Sequence, residues 1–120
     1  MHEIIFYQDK KGNKPVKDYI EELESKNDKD SRIKYNKIIE YLLILRDLGT
    51  SANENYMKHI EGELWELRPN KDRIFFAALL DDSFVLLHSF VKKTKKTPHS
   101  EIEKAKRELK EFKEMNNNGL

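Results

Sequence analysis

The sequence predicts an α+β fold in which an antiparallel sheet packs against an N-terminal helical hairpin and a C-terminal helix, in the order βααβββα. Two amphipathic stripes follow a short first strand, three strand-like runs come next, and a third stripe closes the chain. A length of 120 residues suits one domain. We expect this domain to span residues 1–115 and to be followed by a polar, disordered tail at 116–120.

The N-terminal part predicts one strand and two helices. Residues 3–7 are β-branched and aromatic and precede a turn-like polar stretch, as is typical of a strand. Pro15 suits the first turn of a helix, and an apolar stripe continues that helix to about residue 26. A longer stripe runs over residues 30–48, and Gly49 offers a left-handed stop after it.

The C-terminal part predicts a meander and a last helix. The strand-like runs cover residues 56–68, split near Gly62, then 73–80 and 84–91. The polar connections between the later runs have hairpin length, so antiparallel pairing is expected. Thr97 is the expected N-cap of the last helix, with Pro98 in its first turn.

Composition excludes several classes of protein. The chain has no cysteine, which rules out disulfides and cysteine zinc sites. Its start does not resemble a signal peptide and no apolar run is long enough for a bilayer, so we expect a cytoplasmic protein without a membrane anchor. His2 and His59 have no partner at ligand spacing, and no metal site is expected.

The candidate catalytic residues cluster around the predicted hairpin. Alternation along a strand places Glu66 and Arg68 on one face, which we expect to be charged while the other face is apolar. A tight hairpin brings Arg73 to the same end of the sheet, and Lys93 could complete the patch. The group suits metal-independent RNA cleavage through the 2′-hydroxyl. Glu66 is the candidate base, Arg68 and Arg73 are phosphate clamps, and Lys93 is a stabiliser or acid.

Local basic clustering supports RNA binding although the net charge is only +1. Residues 90–98, FVKKTKKTP, hold four lysines and no acid, whereas residues 21–30 are rich in acids. The candidate RNA-binding residues are Lys58, Phe90, Lys92, Lys95, Lys96 and His99. Each has a structural alternative. The lysines could simply form a solvated loop, the phenylalanine could belong to the core, and the histidine could be an exposed surface residue without a function.

Two further residue patterns have structural interpretations. Spacing alone favours a solvated ion pair for Glu66 and Arg68. His88 lies in an apolar strand, where it shares parity with Phe84, Leu86 and Phe90. A buried, hydrogen-bonded structural imidazole is favoured there over a catalytic one.

Three segments resemble the phage-derived, HigB-like branch of the RelE toxin superfamily. They are LWELR at 64–68, RIFFA at 73–77 and LLHSFVKKTKKTPHSEI at 86–102. The resemblance implies a RelE-like fold and the toxin of a type II toxin–antitoxin system. The resemblance further implies that this toxin is an mRNA interferase, a ribosome-dependent endoribonuclease that inhibits translation and growth. It also implies a helix-turn-helix, HigA-like antitoxin as partner, contact with the ribosome and mRNA, and no cofactor.

The resemblance also bears on residue roles and leaves alternatives open. By position it implies functional roles for Arg73 and Lys93, with Glu66 and Arg68 beside them. Other branches carry lysine at the place of Glu66, so catalysis by lysine and arginine alone stays open as an alternative. A non-catalytic RNA- or protein-binding module would use the same basic sheet face, and a bare interaction subunit would dock a partner helix there.

Overall fold

The computed structural model describes residues 1–117 and has the predicted α+β fold class, which is thereby confirmed. The elements are β1 (Ile4–Phe6), α1 (Pro15–Ser25), α2 (Lys29–Leu48), β2 (Met57–Glu61), β3 (Leu64–Leu67), β4 (Asp72–Ala78), β5 (Phe84–Val91) and α3 (His99–Asn117). Helix α3 therefore continues into the segment predicted as a polar tail, and the rest of that tail lies outside the described residues.

The strands form one five-stranded sheet in the order β1-β5-β4-β3-β2. The run predicted at residues 56–68 gives two strands, β2 and β3, which turn around Gly62 with a φ of 54°. The sheet thus has one strand more than the predicted order implies. Strand β1 pairs parallel to β5, while the other neighbours pair antiparallel, because the helical hairpin carries the chain across the sheet after β1.

Both faces of the sheet are covered by helices. The face of Ile74 and Phe76 packs against the helical hairpin α1–α2. The face of Leu64 and Phe75 packs against Ala105 and other apolar residues of α3. The expectation of one apolar and one charged face is therefore wrong, because apolar residues alternate onto the second face as well and need burial there.

A β-bulge in β5 changes which residues share a face. Phe75 pairs with His88 and Phe76 with Leu86, so Leu87 is an extra residue on β5. His88 consequently faces α3, whereas Leu86 packs in the cluster under the helical hairpin. The parity predicted for His88 with Phe84 and Leu86 is wrong for this reason.

The expected burial and hydrogen bonding of His88 are nevertheless confirmed. Its side chain is 2% exposed. Nδ1 lies 2.5 Å from a carboxylate oxygen of Glu108, and Nε2 lies 3.1 Å from one of Glu101. The imidazole therefore joins β5 to two turns of α3.

Gly49 ends α2 with a φ of 60° and a ψ of −149°, a region that is almost closed to other residues. The predicted stop at Gly49 is confirmed. A Cβ at this position would lie 2.8 Å from Nε2 of His2. The His2 backbone N–H donates to the carbonyl of Arg46 at 2.8 Å, and its Nδ1 lies 2.7 Å from the carbonyl of Asp82. The N-terminal segment is thus fixed against the place where α2 ends.

We expect Gly49→Ala to lower the free energy of unfolding by about 2–4 kcal/mol, since backbone strain and displacement of His2 add together. Gly62→Ala is the matched control, because Gly62 also has a positive φ but a Cβ there meets nothing within 4 Å. Its expected loss is about 1–2 kcal/mol. Urea denaturation followed by circular dichroism measures both, and equal losses would contradict the role of His2.

Candidate active site

The carboxylate of Glu66 is the centre of the candidate site. Glu66 is 1% exposed on β3. Its Oε1 lies 3.7 Å from Nε of Arg68 and 3.7 Å from Nε of Arg73. Its Oε2 accepts a hydrogen bond of 2.6 Å from the hydroxyl of Thr97. The structure thus brings Glu66, Arg68 and Arg73 together around one buried negative charge.

Local pairing explains this convergence. Arg68 follows β3 directly, and the next strand begins only four residues later. Asn70 takes a φ of 56° in this connection, and the N–H of Asp72 donates to the carbonyl of Pro69 at 3.0 Å. The tight turn places Arg73 beside Arg68 at the same end of the sheet.

Arg73 is a buried residue that also holds the turn together. It is 8% exposed, and its Nη1 donates to the carbonyls of Asn70 at 2.6 Å and Asp72 at 2.9 Å. Its buried Nε has no hydrogen-bond partner in the described part of the chain and faces Glu66. Burial lowers the pKa of Arg73, and the charge of Glu66 opposes this effect. Arginine nevertheless stays charged in proteins. The buried guanidinium of Arg73 therefore adds positive charge next to Glu66.

Thr97 does not cap the last helix as predicted. Helix α3 begins two residues later, at His99, and the hydroxyl of Thr97 donates to Glu66 instead. A buried carboxylate oxygen needs a donor, and Thr97 meets this need from a distant part of the chain. The bond ties the loop of residues 92–98, between β5 and α3, to the sheet.

A cavity of about 350 Å³ lies against this group. Its lining residues are Lys58, His59, Ile60, Glu66, Arg68, Lys92, Lys95, Lys96, Thr97 and Ile102. We call it the lysine cavity. Glu66 is the only carboxylate among these described residues, whereas five of them carry positive charge. Arg68, with a side chain 31% exposed, is the guanidinium that a ligand in the lysine cavity can reach.

Four of the predicted RNA-binding residues, Lys58, Lys92, Lys95 and Lys96, line the lysine cavity. Lys93, predicted as catalytic, is exposed on the same loop but is not among the lining residues. Phe90 is partly buried and packs on Phe75, with ring centroids 5.6 Å apart. The His99 side chain is 81% exposed, and its Nε2 lies 3.3 Å from Glu103.

Sequence reasoning missed His59 as a lining residue of the lysine cavity. From the sequence it is a candidate only for a metal site, which its spacing disfavours, although it follows Lys58 on a predicted strand. Its Nε2 lies 2.8 Å from the carbonyl of Gly62, which orients the ring at the sheet edge. The only sequence signal is its place next to Lys58 in the strand-like run of residues 56–68, whereas its pairing with Trp65 is a property of the folded chain.

The family model described as Phage derived protein Gp49-like (DUF891) matches residues 18–110, which is more than half of the chain. The chain belongs to the Gp49-like family. This family is part of the RelE/HigB-like toxins of toxin–antitoxin systems, and membership implies an antitoxin partner. A comparison with curated proteins finds no similar sequence. The resemblance to the RelE superfamily is confirmed at this level, and the HigB-like branch stays a prediction.

The matched residues, 18–110, include every residue that lines the lysine cavity. They also include Arg73. Within residues 1–117, no group of three or more histidine, aspartate or glutamate side chains is arranged to hold a metal ion. Over the same residues, no helix is both long enough and apolar enough to cross a membrane.

In this Gp49-like protein we expect Thr97→Val to lower the free energy of unfolding by about 1–3 kcal/mol, because a buried carboxylate oxygen loses its donor. Thr94→Val is the matched control. Thr94 is exposed on the same loop and donates to the carbonyl of Lys96. Its replacement should change stability by no more than about 0.5 kcal/mol. Urea unfolding tests both variants, and a neutral Thr97→Val would show that Glu66 does not depend on this bond.

Proposed function

We propose that this protein is the toxin of a type II toxin–antitoxin system and acts as a ribosome-dependent mRNA endoribonuclease. The observation that carries the proposal is the convergence of Arg68 and Arg73 on the buried carboxylate of Glu66, against a cavity lined by lysines. A helix-turn-helix, HigA-like antitoxin is the proposed silencing partner. Family membership supports a toxin that has an antitoxin partner. Action on mRNA at the ribosome goes beyond family membership and is part of our proposal.

The proposed reaction is transesterification within the RNA strand. The 2′-oxygen attacks the adjacent phosphorus, the bond to the 5′-oxygen breaks, and a 2′,3′-cyclic phosphate forms. A base must take the 2′-hydroxyl proton, cations must offset charge on the phosphorane, and the leaving 5′-oxygen must receive a proton. Arg68 offers a donor fork to the phosphate oxygens from the lysine cavity. Lys58 and the lysines of the loop add compact positive charge.

Thr97 supports the proposed role of Glu66 as the base. An alcohol already donates to Oε2 of Glu66 at 2.6 Å, and it marks the place where a ribose 2′-hydroxyl can donate once the loop moves aside. The guanidiniums of Arg68 and Arg73 hold this carboxylate in place beside the lysine cavity. Lys93 stays a predicted acid or stabiliser.

A non-catalytic RNA-binding module is the second candidate. The 1% exposure of Glu66 favours it, because Thr97 covers the carboxylate in the absence of RNA. Such a module would bind RNA through the lysine cavity and leave the strand intact. The two candidates differ in whether translated messages acquire new ends.

We expect the protein to produce discrete 5′ ends on a message that is being translated, and Arg68→Ala to reduce their yield about 10²–10³-fold, because one phosphate clamp is lost. Primer extension on an in vitro translation reaction measures the ends, with and without ribosomes. Arg107→Ala on the exposed surface of α3 is the control and should cut normally. Binding to RNA without any new end would establish the second candidate and refute the nuclease.

Glu66→Gln separates proton abstraction from a purely electrostatic role. Glutamine can still accept the Thr97 hydrogen bond but cannot take a proton, so we expect cleavage to slow by about 10²–10⁴-fold. Glu40→Gln on the exposed surface of α2 is the control. Full activity in a folded Glu66→Gln variant would leave catalysis to lysine and arginine alone.

A further inference from the structure

A second cavity, of about 600 Å³, lies beside the lysine cavity at the edge strand β2. Its lining residues are Thr50, Ala52, Glu54, Met57, Lys58, His59, Trp65 and Arg68. We call it the tryptophan cavity. It opens on the face of the sheet that carries the helical hairpin, and it shares Lys58, His59 and Arg68 with the lysine cavity. The proposed cleavage chemistry uses the shared Lys58 and Arg68 but no other residue of the tryptophan cavity.

A row of rings crosses the sheet and ends in the tryptophan cavity. Trp65 pairs with His59 on β2 and with Phe76 on β4. The Trp65 ring lies 5.0 Å from the ring of His59 and is stacked on Phe76 at 6.3 Å, with centroid distances in both cases. Phe76 is completely buried, whereas His59 at the other end is exposed. A planar ligand can therefore extend the row at its outer end.

The polar groups of the tryptophan cavity match the rest of a nucleotide. Lys58 and Arg68 lie where the two cavities meet and carry the charge that a phosphate needs. Glu54 and Thr50 come from the segment after α2 and offer oxygen acceptors to the amino and imino groups of a base. The cavity has the volume of sites that hold molecules of nucleotide size. Aromatic rings beside a basic groove are the usual means of binding single-stranded RNA.

We propose that the tryptophan cavity binds one nucleobase of the RNA strand whose phosphate lies in the lysine cavity. This inference rests on the proposed function and names an additional contact with its substrate. The shared Lys58 and Arg68 make the two sites continuous, so one strand can pass over the edge of the sheet from the base site to the phosphate site.

Trp65 is the only tryptophan in the sequence, so the tryptophan fluorescence of the protein comes from a residue that lines this cavity. The probe is a 2′-O-methyl RNA trimer, which cannot be cut through the 2′-oxygen, and an abasic trimer with the same backbone is its control. We expect the base-bearing trimer to quench Trp65 saturably. The abasic trimer, followed by the anisotropy of an attached dye, should bind about tenfold more weakly and leave Trp65 emission unchanged.

Two variants with a matched control test the residues. His59→Ala should weaken the base-bearing trimer by about fivefold to tenfold. Glu54→Gln, at a residue outside the lysine cavity, should do the same and leave the abasic trimer unaffected. Glu40→Gln, on the outer surface of α2, should bind both trimers as the unaltered protein does. Equal affinity for the two trimers, or quenching that His59→Ala does not change in a folded protein, would overturn the base site.

These outcomes are distinguishable from failure of the proposed function. Cleavage of translated messages without base-dependent quenching removes the base site and keeps the nuclease. Base-dependent quenching without cleavage keeps the site and assigns it to an RNA-binding module.

Discussion

The buried negative charge of Glu66 is the constraint on which the arrangement of the site depends. Removing a carboxylate from water costs several kcal/mol unless opposite charge and hydrogen bonds compensate. The compensation comes from three places in the chain: the end of β3, the start of β4 and the loop before α3. Exposed pairs such as Lys26 with Glu22 are each worth at most about 1 kcal/mol and cannot decide the fold in this way. The group around Glu66 therefore sets the geometry of the hairpin and the course of the basic loop together.

His88 holds together the two elements that flank the basic loop of residues 92–98. Its contacts with Glu101 and Glu108 join β5 to α3, and these are the two elements that the loop connects. Thr97 binds the loop to the sheet at Glu66. The loop is thus held at both ends and at one point within, while its lysines remain in contact with solvent. In the proposed complex these lysines neutralise phosphates of the RNA, and the release of the counterions condensed on the RNA favours binding.

The sequence could predict contacts that depend on neighbouring residues, and it could not predict those that depend on distant ones. Glu66, Arg68 and Arg73 converge because strand alternation and a short hairpin determine their positions locally. The bulge at Leu87 was not visible, because an extra residue in an apolar strand leaves no mark in its composition. The partner of Thr97 is 31 residues away, and a helix start explained that threonine equally well from sequence. His59 was overlooked because its place at the sheet edge follows from pairing with β3, which only the folded chain shows.

The nearly balanced net charge is compatible with binding to RNA because electrostatic interactions in salt solution are short-ranged. The Debye length near physiological ionic strength is about 8 Å, whereas the molecule measures 45 Å along its longest axis. A strand in the lysine cavity therefore experiences the five cations around it rather than the sum over the chain. Helix α1, which covers the opposite face of the sheet, has four carboxylates and one lysine. Local separation of charge thus provides the positive charge that the proposed phosphate site requires, although the net charge of the protein is only +1.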